Sequence, residues 1–220
     1  MSTTIGPARI SRIATTLLVS LLGVCCAHAG DRALLPPNAA ALEVFNRKAT
    51  PVADGVIHLD AAENAGIAWI PGARFSAGRL SFEVKGLDVL QKSFVGVAFH
   101  GLDNGSYDCV YLRPFNFNSP EAVRRSHSVQ YISIPGHDWN DLREQSPGRY
   151  EAAIDPAPAA ESWVHVDLAI EGRQLRVFVN HANAPALTVD LLNERLDGRV
   201  GLWVGNNSEG WFRKIEMSVK

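Results

Sequence analysis

One stretch, residues 94–115, constrains the fold of this chain more than any other. In its first half Val95, Val97 and Phe99 alternate with smaller or polar residues, as expected for an extended strand with one face buried. Asn104-Gly105 then interrupts the alternation, and this pair is typical of tight turns because both residues tolerate positive φ angles. The second half again alternates, and one face carries Tyr107, Cys109, Tyr111, Arg113 and Phe115. The stretch therefore predicts a central antiparallel hairpin with an arginine on a mostly apolar face, where it needs a partner.

Short alternating segments continue on both sides of this hairpin. Residues 78–86 place Leu80, Phe82 and Val84 on one face, and similar runs recur up to the end of the chain. Helical periodicity is weak, and residues 187–196 give its clearest example. Residues 206–210 have the composition of a hairpin turn, and a ligand loop is the alternative. About a dozen short strands separated by turns predict an all-β fold, an antiparallel two-sheet jelly-roll sandwich.

The N-terminus has the composition of a secretory signal peptide. Arg9 and Arg12 precede an apolar run, and Ala27-His28-Ala29 fits a small-x-small cleavage site. A lipoprotein anchor at Cys25 or Cys26 is the alternative. We therefore expect a signal peptide over residues 1–29, one domain over residues 30–220, and export to the periplasm or the exterior without a membrane span in the mature chain.

Charge and cysteine content narrow the functional classes. The net charge of −2 and the lack of a basic cluster argue against a nucleic-acid partner. Cleavage after Ala29 removes two of the three cysteines, so Cys109 would have no internal disulfide partner. Its place among strand aromatics predicts a buried, unreactive thiol.

The order of the motifs resembles the concanavalin A-like lectin/glucanase superfamily, and within it the bacterial 3-keto-disaccharide hydrolase-like domains. The similarity covers most of residues 54–219, and its matching segments lie at residues 54–57, 75–84, 94–99, 111–116, 163–166, 177–180 and 198–203. It implies a concanavalin A-like sandwich with a carbohydrate ligand in a concave groove. Trp203 and Gly205 stand where the enzyme-like members carry Gln and His near the end of the domain.

The common catalytic motifs do not occur in the sequence. Glucanases of this superfamily carry Glu-x-Asp-x-Glu on one strand, whereas here Glu83 is followed by Val84 and Lys85. The histidines lack metal-ligand spacing, and His58, His165 and His181 are interpreted as ordinary strand or turn residues. We therefore expect neither a metal centre nor a cofactor, while a structural calcium bound by loop oxygens stays open.

A ligand site is predicted around Arg113. If its strand neighbours the strand of Gln130, both side chains face one groove, together with Tyr111 and Asn116. Guanidinium and amide groups suit sugar hydroxyls, and aromatic rings stack on pyranose C–H faces. The predicted aromatic platforms are Tyr131, Trp139 and Trp211. A structural pairing of Arg113 with Glu83 is the alternative.

Two functional hypotheses follow. If the domain hydrolyses a glycoside, the resemblance implies a 3-keto-glycoside, with His127 or His100 as the base and Arg113 stabilising the enolate oxygen. The alternative is a non-catalytic module that binds a glycan or an envelope protein. A catalytic base is needed only for the hydrolysis hypothesis.

Overall fold

The computed structural model describes residues 1–4, 33–35 and 39–219. Apart from its first four residues, the predicted signal peptide lies outside the described residues, and so do Cys25, Cys26 and His28. Among the described residues, no helix has the length and apolar character needed to cross a membrane.

The described residues form fifteen strands and two short α-helices. In chain order the strands are β1 (Ala33–Leu35), β2 (Glu43–Phe45), β3 (Ala49–Pro51), β4 (Ile57–Leu59), β5 (Gly66–Phe75), β6 (Gly78–Lys85), β7 (Val95–Asp103), β8 (Ser106–Leu112), β9 (Val129–Ile134), β10 (Glu151–Ala152), β11 (Val164–Glu171), β12 (Gln174–Val179), β13 (Leu187–Asp190), β14 (Gly198–Val204) and β15 (Gly210–Val219). The helices are α1 (Ala122–Arg125) and α2 (Trp139–Gln145), and single 3₁₀ turns lie at Ala39–Ala41, Ala53–Gly55 and Pro114–Asn116.

The strands form two antiparallel sheets. Sheet A has the order β13-β12-β11-β6-β15-β4-β3, with β1 also pairing with β15. Sheet B has the order β10-β9-β8-β7-β14-β5-β2, so the predicted hairpin β7–β8 lies at its centre. The chain is thus a jelly-roll sandwich of the concanavalin A-like type, as the sequence predicted.

The main core fills the space between the sheets. Leu80, Phe82 and Val84 of β6 face it, as their alternation predicted, and so do Val110 and Leu112 of β8. These side chains are almost fully buried, and burying each one contributes on the order of 1.5–3 kcal/mol relative to an exposed position.

A second apolar cluster covers the outer face of sheet B. Its members alternate with the core residues along their strands, and they are Ile67, Trp69, Ala98, Tyr107, Cys109, Tyr111, Ile132, Leu142 and Trp203. Leu142 comes from α2, so this helix packs on the outer face. Sheet B is therefore buried on both faces near its centre, and Cys109 is a buried thiol as predicted.

Three local predictions differ from the structure. Residues 187–196 contain strand β13 rather than a helix, because Leu187 and Val189 point into the core at a period of two. Residues 206–209 connect β14 of sheet B to β15 of sheet A, which begins at Gly210, so they form a crossing between sheets and not a hairpin turn. The hairpin turn lies at residues 104–105 as predicted. The positive φ angle expected in the turn is found instead at His100, where φ is 50°, at the bulge in β7.

Candidate functional site

A cavity of about 570 Å³ opens at the outer face of sheet B, beside the end of β8. It is lined by residues from the segment before β7, the β8–β9 connection, α2 and the β14–β15 crossing. These are Leu90, Gln91, Phe94, Arg113, Phe115, Asn116, Glu121, Val123, Arg124, His127, Trp139, Arg143 and Asn206. Four of the predicted site residues, Arg113, Asn116, His127 and Trp139, therefore meet in one cavity.

Arg113 lies at the floor of this cavity and is 5% exposed. Its Nη2 donates to the Tyr111 hydroxyl at 2.8 Å and to Gln130 Oε1 at 3.1 Å, because β8 and β9 are paired with Tyr111 opposite Gln130. Its Nη1 donates to the His127 carbonyl oxygen at 3.0 Å. Burial lowers the pKa of Arg113 from its ordinary value. The alternative, in which Arg113 pairs with a structural acid such as Glu83, is wrong for Glu83, whose carboxylate accepts from residues of β15 in sheet A. The buried acid near Arg113 is Glu151.

Tyr111 and Gln130 support Arg113 from behind rather than lining the cavity. Both are almost fully buried, and burial raises the pKa of the Tyr111 hydroxyl well above its usual range. Gln130 Nε2 donates to the carbonyl oxygens of Tyr131 and Tyr150, at 3.0 and 3.2 Å. These bonds fix the amide orientation, so that Oε1 faces the guanidinium.

A buried carboxylate, Glu151, is the anionic centre beneath the site. It lies on β10 and is 4% exposed. Arg143 forms a two-bond pair with it, Nε to Oε1 at 2.9 Å and Nη2 to Oε2 at 2.5 Å. Arg113 Nη1 lies 3.7 Å from Oε2, and His127 Nε2 lies 3.4 Å from Oε1. One carboxylate thus organises three basic side chains, and its hydrogen bonds raise the pKa of Arg143.

His127 is half-buried at the wall of the cavity. Burial lowers its pKa, and the positive charges of Arg143 and Arg113 act in the same direction, against the opposing effect of Glu151. The lowered pKa favours the neutral imidazole, the form that accepts a proton. Its backbone oxygen also accepts from Asn116 Nδ2 at 3.2 Å, which holds Asn116 at the same wall.

Aromatic rings supply the apolar surfaces of the cavity. Trp139 is the first residue of α2, whose N-cap Asp138 accepts a hydrogen bond from the Trp139 amide, and its side chain is 41% exposed. The Arg143 guanidinium carbon lies 5.0 Å from the centre of that ring. Phe94 and Phe115 pack edge to face at 5.5 Å on another side. The cavity therefore combines stacking surfaces with directional donors.

Three predicted site residues lie elsewhere. His100 is fully buried, because the bulge in β7 turns it away from the outer face, toward Asp108 Oδ2 (3.0 Å) and the Ser76 carbonyl oxygen (3.1 Å). Tyr131 faces the core between the sheets and donates to Asp108 Oδ1 at 3.0 Å. Trp211 lies on the outer face of sheet A, stacked on His58 at 4.7 Å.

Three residues in or beneath the cavity were not predicted. Glu151 was missed because β10 has only two residues and shows no alternation. Arg143 carries a readable signal, since it lies four residues after Trp139 and would share one face of a short helix with it. Asn206 was missed because its segment was interpreted as a hairpin turn. None of the three follows from strand periodicity, on which the site prediction relied.

The fold of this chain is similar to that of several solved structures. The sequence matches no protein-family model and no curated protein sequence. Among solved structures, carbohydrate-binding module CBM66 from Bacillus subtilis is similar with a TM-score of 0.60 and 10% identity, over 82% of this chain and 98% of that one. A protein of unknown function with a galectin-like fold, also from Bacillus subtilis, is similar with a TM-score of 0.56 and 12% identity, over 84% of this chain and 93% of that one. The β-glucanase of Bacillus licheniformis is similar with a TM-score of 0.54 and 8% identity, over 88% of this chain and 99% of that one. At these identities the similarity concerns the fold.

Proposed function

We propose that this domain binds a carbohydrate in the cavity beside β8. The observation that carries the proposal is the placement of an exposed Trp139 ring next to the fixed polar groups of Arg113, Asn116 and His127. Pyranose rings present apolar C–H faces and a rim of hydroxyls, so they need such a combination of a flat ring and oriented donors and acceptors. The fold similarity to a carbohydrate-binding module supports the same ligand class.

The test compares two tryptophans on different sheets. Trp139→Ala removes the ring at the cavity, and Trp211→Ala removes a ring of the same size on the outer face of sheet A, which is also partly exposed. Binding to a glycan array, followed by titration calorimetry on the best ligand, should be weakened about fivefold or more by the first change, because a stacked ring contributes about 1 kcal/mol. The second change should leave the affinity unaltered. Equal losses in both variants, or no glycan bound by the wild type, would contradict the proposal.

A second candidate function is hydrolysis of a 3-keto-glycoside, favoured by the His127 imidazole lining the same cavity as the Arg113 guanidinium. A ketone at C3 acidifies the C2–H bond. A base that removes this proton forms an enolate, which expels the C1 oxygen as an alkoxide and leaves a C1=C2 double bond conjugated with the ketone. The protonated base returns its proton to the departing oxygen, and water then adds its OH to C1 and its H to C2. His127 is the group in the cavity suited to act as this base, and the neighbouring guanidinium of Arg113 is suited to stabilise the enolate oxygen.

Turnover distinguishes the enzyme from a binding module. His127→Gln should lower kcat for a 3-keto-disaccharide by about 10²–10⁴-fold while KM changes little, since only the base is lost. His137→Gln, on the connection before α2, is the control and should retain full activity. Absence of cleavage by the pure wild-type protein excludes the hydrolase and leaves the binding function standing.

A further inference from the structure

Two histidines and an aspartate meet on the outer face of sheet A, on the sheet that does not carry the cavity. His165 and Asp167 are two residues apart on β11, so they share one face of the strand. His181 follows β12, which pairs with β11, and it is brought beside His165 by the hydrogen bonds of Asn180. One nitrogen from each imidazole and one oxygen of the carboxylate lie within 4.8 Å of one another.

His165 and Asp167 are spaced nearly like two ligands of one metal ion. His165 Nε2 lies 3.1 Å from Asp167 Oδ2. Two ligands of a tetrahedral zinc ion, bound at about 2.0–2.1 Å, are separated by about 3.3 Å. The two imidazole rings are stacked, with centroids 3.9 Å apart. His181 is exposed, so rotation of its side chain can bring its nitrogen to the same ion without moving a strand.

The carboxylate is held so that one oxygen is presented to the histidines. Ser81 Oγ donates to Asp167 Oδ1, and Arg79 Nη1 lies 3.2 Å from the same oxygen, which leaves Oδ2 on the side of His165. Asp167 itself is 5% exposed. Partners that orient a ligand from behind are a regular feature of metal sites.

We propose that His165, Asp167 and His181 bind one divalent transition-metal ion of the zinc class, with water completing the coordination. Two imidazole nitrogens and one carboxylate oxygen form a donor set that suits Zn²⁺ and binds Cu²⁺ more tightly. Ca²⁺ and Mg²⁺ prefer sites made of oxygen ligands, so they should not compete. The exposure of His181 leaves a path for the ion from solution.

The test uses the full chain without a polyhistidine tag. Competition of Zn²⁺ against a chromophoric chelator should give one site per chain in the wild type. His181→Gln changes an exposed side chain and preserves the fold, and it should weaken Zn²⁺ binding at least about 100-fold, more than the loss expected for a residue that only orients a ligand. His137→Gln keeps the cluster intact and should bind Zn²⁺ as tightly as the wild type does. Millimolar Ca²⁺ should leave the Zn²⁺ affinity of the wild type unchanged.

A spectroscopic readout separates a metal site from a hydrogen-bonded histidine pair. With Cu²⁺, the electron paramagnetic resonance spectrum should show coupling to two imidazole nitrogens in the wild type and to one in His181→Gln. The proposal is wrong if wild-type protein binds Zn²⁺ no more tightly than a His165→Gln/His181→Gln double variant. It is equally wrong if the Cu²⁺ spectrum is the same with and without His181.

Discussion

Glu151 is the buried carboxylate shared by three basic side chains of the cavity. Its carboxylate is buried beneath Arg113, Arg143 and His127, and Arg113 is buried as deeply as its partner. Glu151→Gln keeps the side-chain shape but removes the negative charge, so the buried Arg113 loses its nearby carboxylate and Arg143 loses its charged partner. Removing one partner of a buried ion pair costs about 3 kcal/mol or more, and we expect a loss of that size in urea unfolding.

The matched control for this charge is Glu121, which lines the same cavity but is exposed. It pairs with Arg124 at 3.0 Å across one turn. Because solvent screens exposed pairs, Glu121→Gln should lower the free energy of unfolding by less than about 1 kcal/mol. If both variants lose the same small amount, Glu151 does not have the structural role that its burial indicates.

His127 gives the site a dependence on pH. Burial, together with the two nearby arginines, places its pKa in the folded protein below the ordinary value of 6.5. Between the two pKa values the unfolded chain binds more protons than the folded one, so the free energy of unfolding falls as the pH drops below about 6.5. Urea unfolding at pH 7.5 and at pH 5.5 measures this change. Between the two pH values, the wild type should lose more free energy of unfolding than His127→Gln does. Identical losses would mean that this imidazole titrates normally in the fold.

At the scale of the element, the β7–β8 hairpin holds the arginine of the site through close backbone packing. A Cβ atom on Gly96 would lie 2.0 Å from the Val110 carbonyl oxygen and 2.8 Å from Tyr111 Cβ. Gly96→Ala should therefore displace Tyr111, which accepts a hydrogen bond from Arg113. We expect a loss of about 1–3 kcal/mol in the free energy of unfolding, accompanied by weaker ligand binding.

The same hairpin contains its own control. Gly105 lies exposed in the turn, and a Cβ atom added to it would have no neighbour closer than 3.7 Å. Gly105→Ala should change the free energy of unfolding by no more than about 0.5 kcal/mol. Comparable destabilisation at both positions would show that flexibility of the turn, and not contact with Tyr111, explains the first result.

The hairpin also shows what sequence reasoning can reach. Alternation predicted β7, β8 and the shared location of Arg113 and Gln130, because a buried face imposes a period of two on the residues that form it. It failed at His100, where one bulge reverses the side chain and the period no longer applies. It also failed at Glu151, which lies on a strand of two residues, and at Arg143, which lies on the short helix α2. Elements this short show little or no strand alternation, so a site built partly on them is only partly readable from strand periodicity.

At the scale of the whole molecule, Cys109 reports on the integrity of the sandwich. It lies on β8 between Ala98 of β7 and Ile132 of β9, and it is 0% exposed. Burial, with a contribution from the charge of Asp108, raises the pKa of this thiol well above its ordinary value. Thiol reagents need an accessible thiolate, so the folded protein should react extremely slowly.

The measurement is labelling with a colorimetric disulfide reagent in a chain with Cys25→Ser and Cys26→Ser. In the native state the rate should be at least about 10³-fold below that in urea, since reaction requires separation of three central strands. Leu102→Cys, at a position that is 61% exposed, is the positive control and should react as a free thiol does.

Where opening and closing are fast, the labelling rate of Cys109 follows the equilibrium population of the open form. Glu151→Gln should then speed labelling of Cys109 by about 100-fold, matching its loss of about 3 kcal/mol. A variant that loses this stability in urea while Cys109 reacts at the wild-type rate would show that the cavity and the centre of sheet B unfold separately.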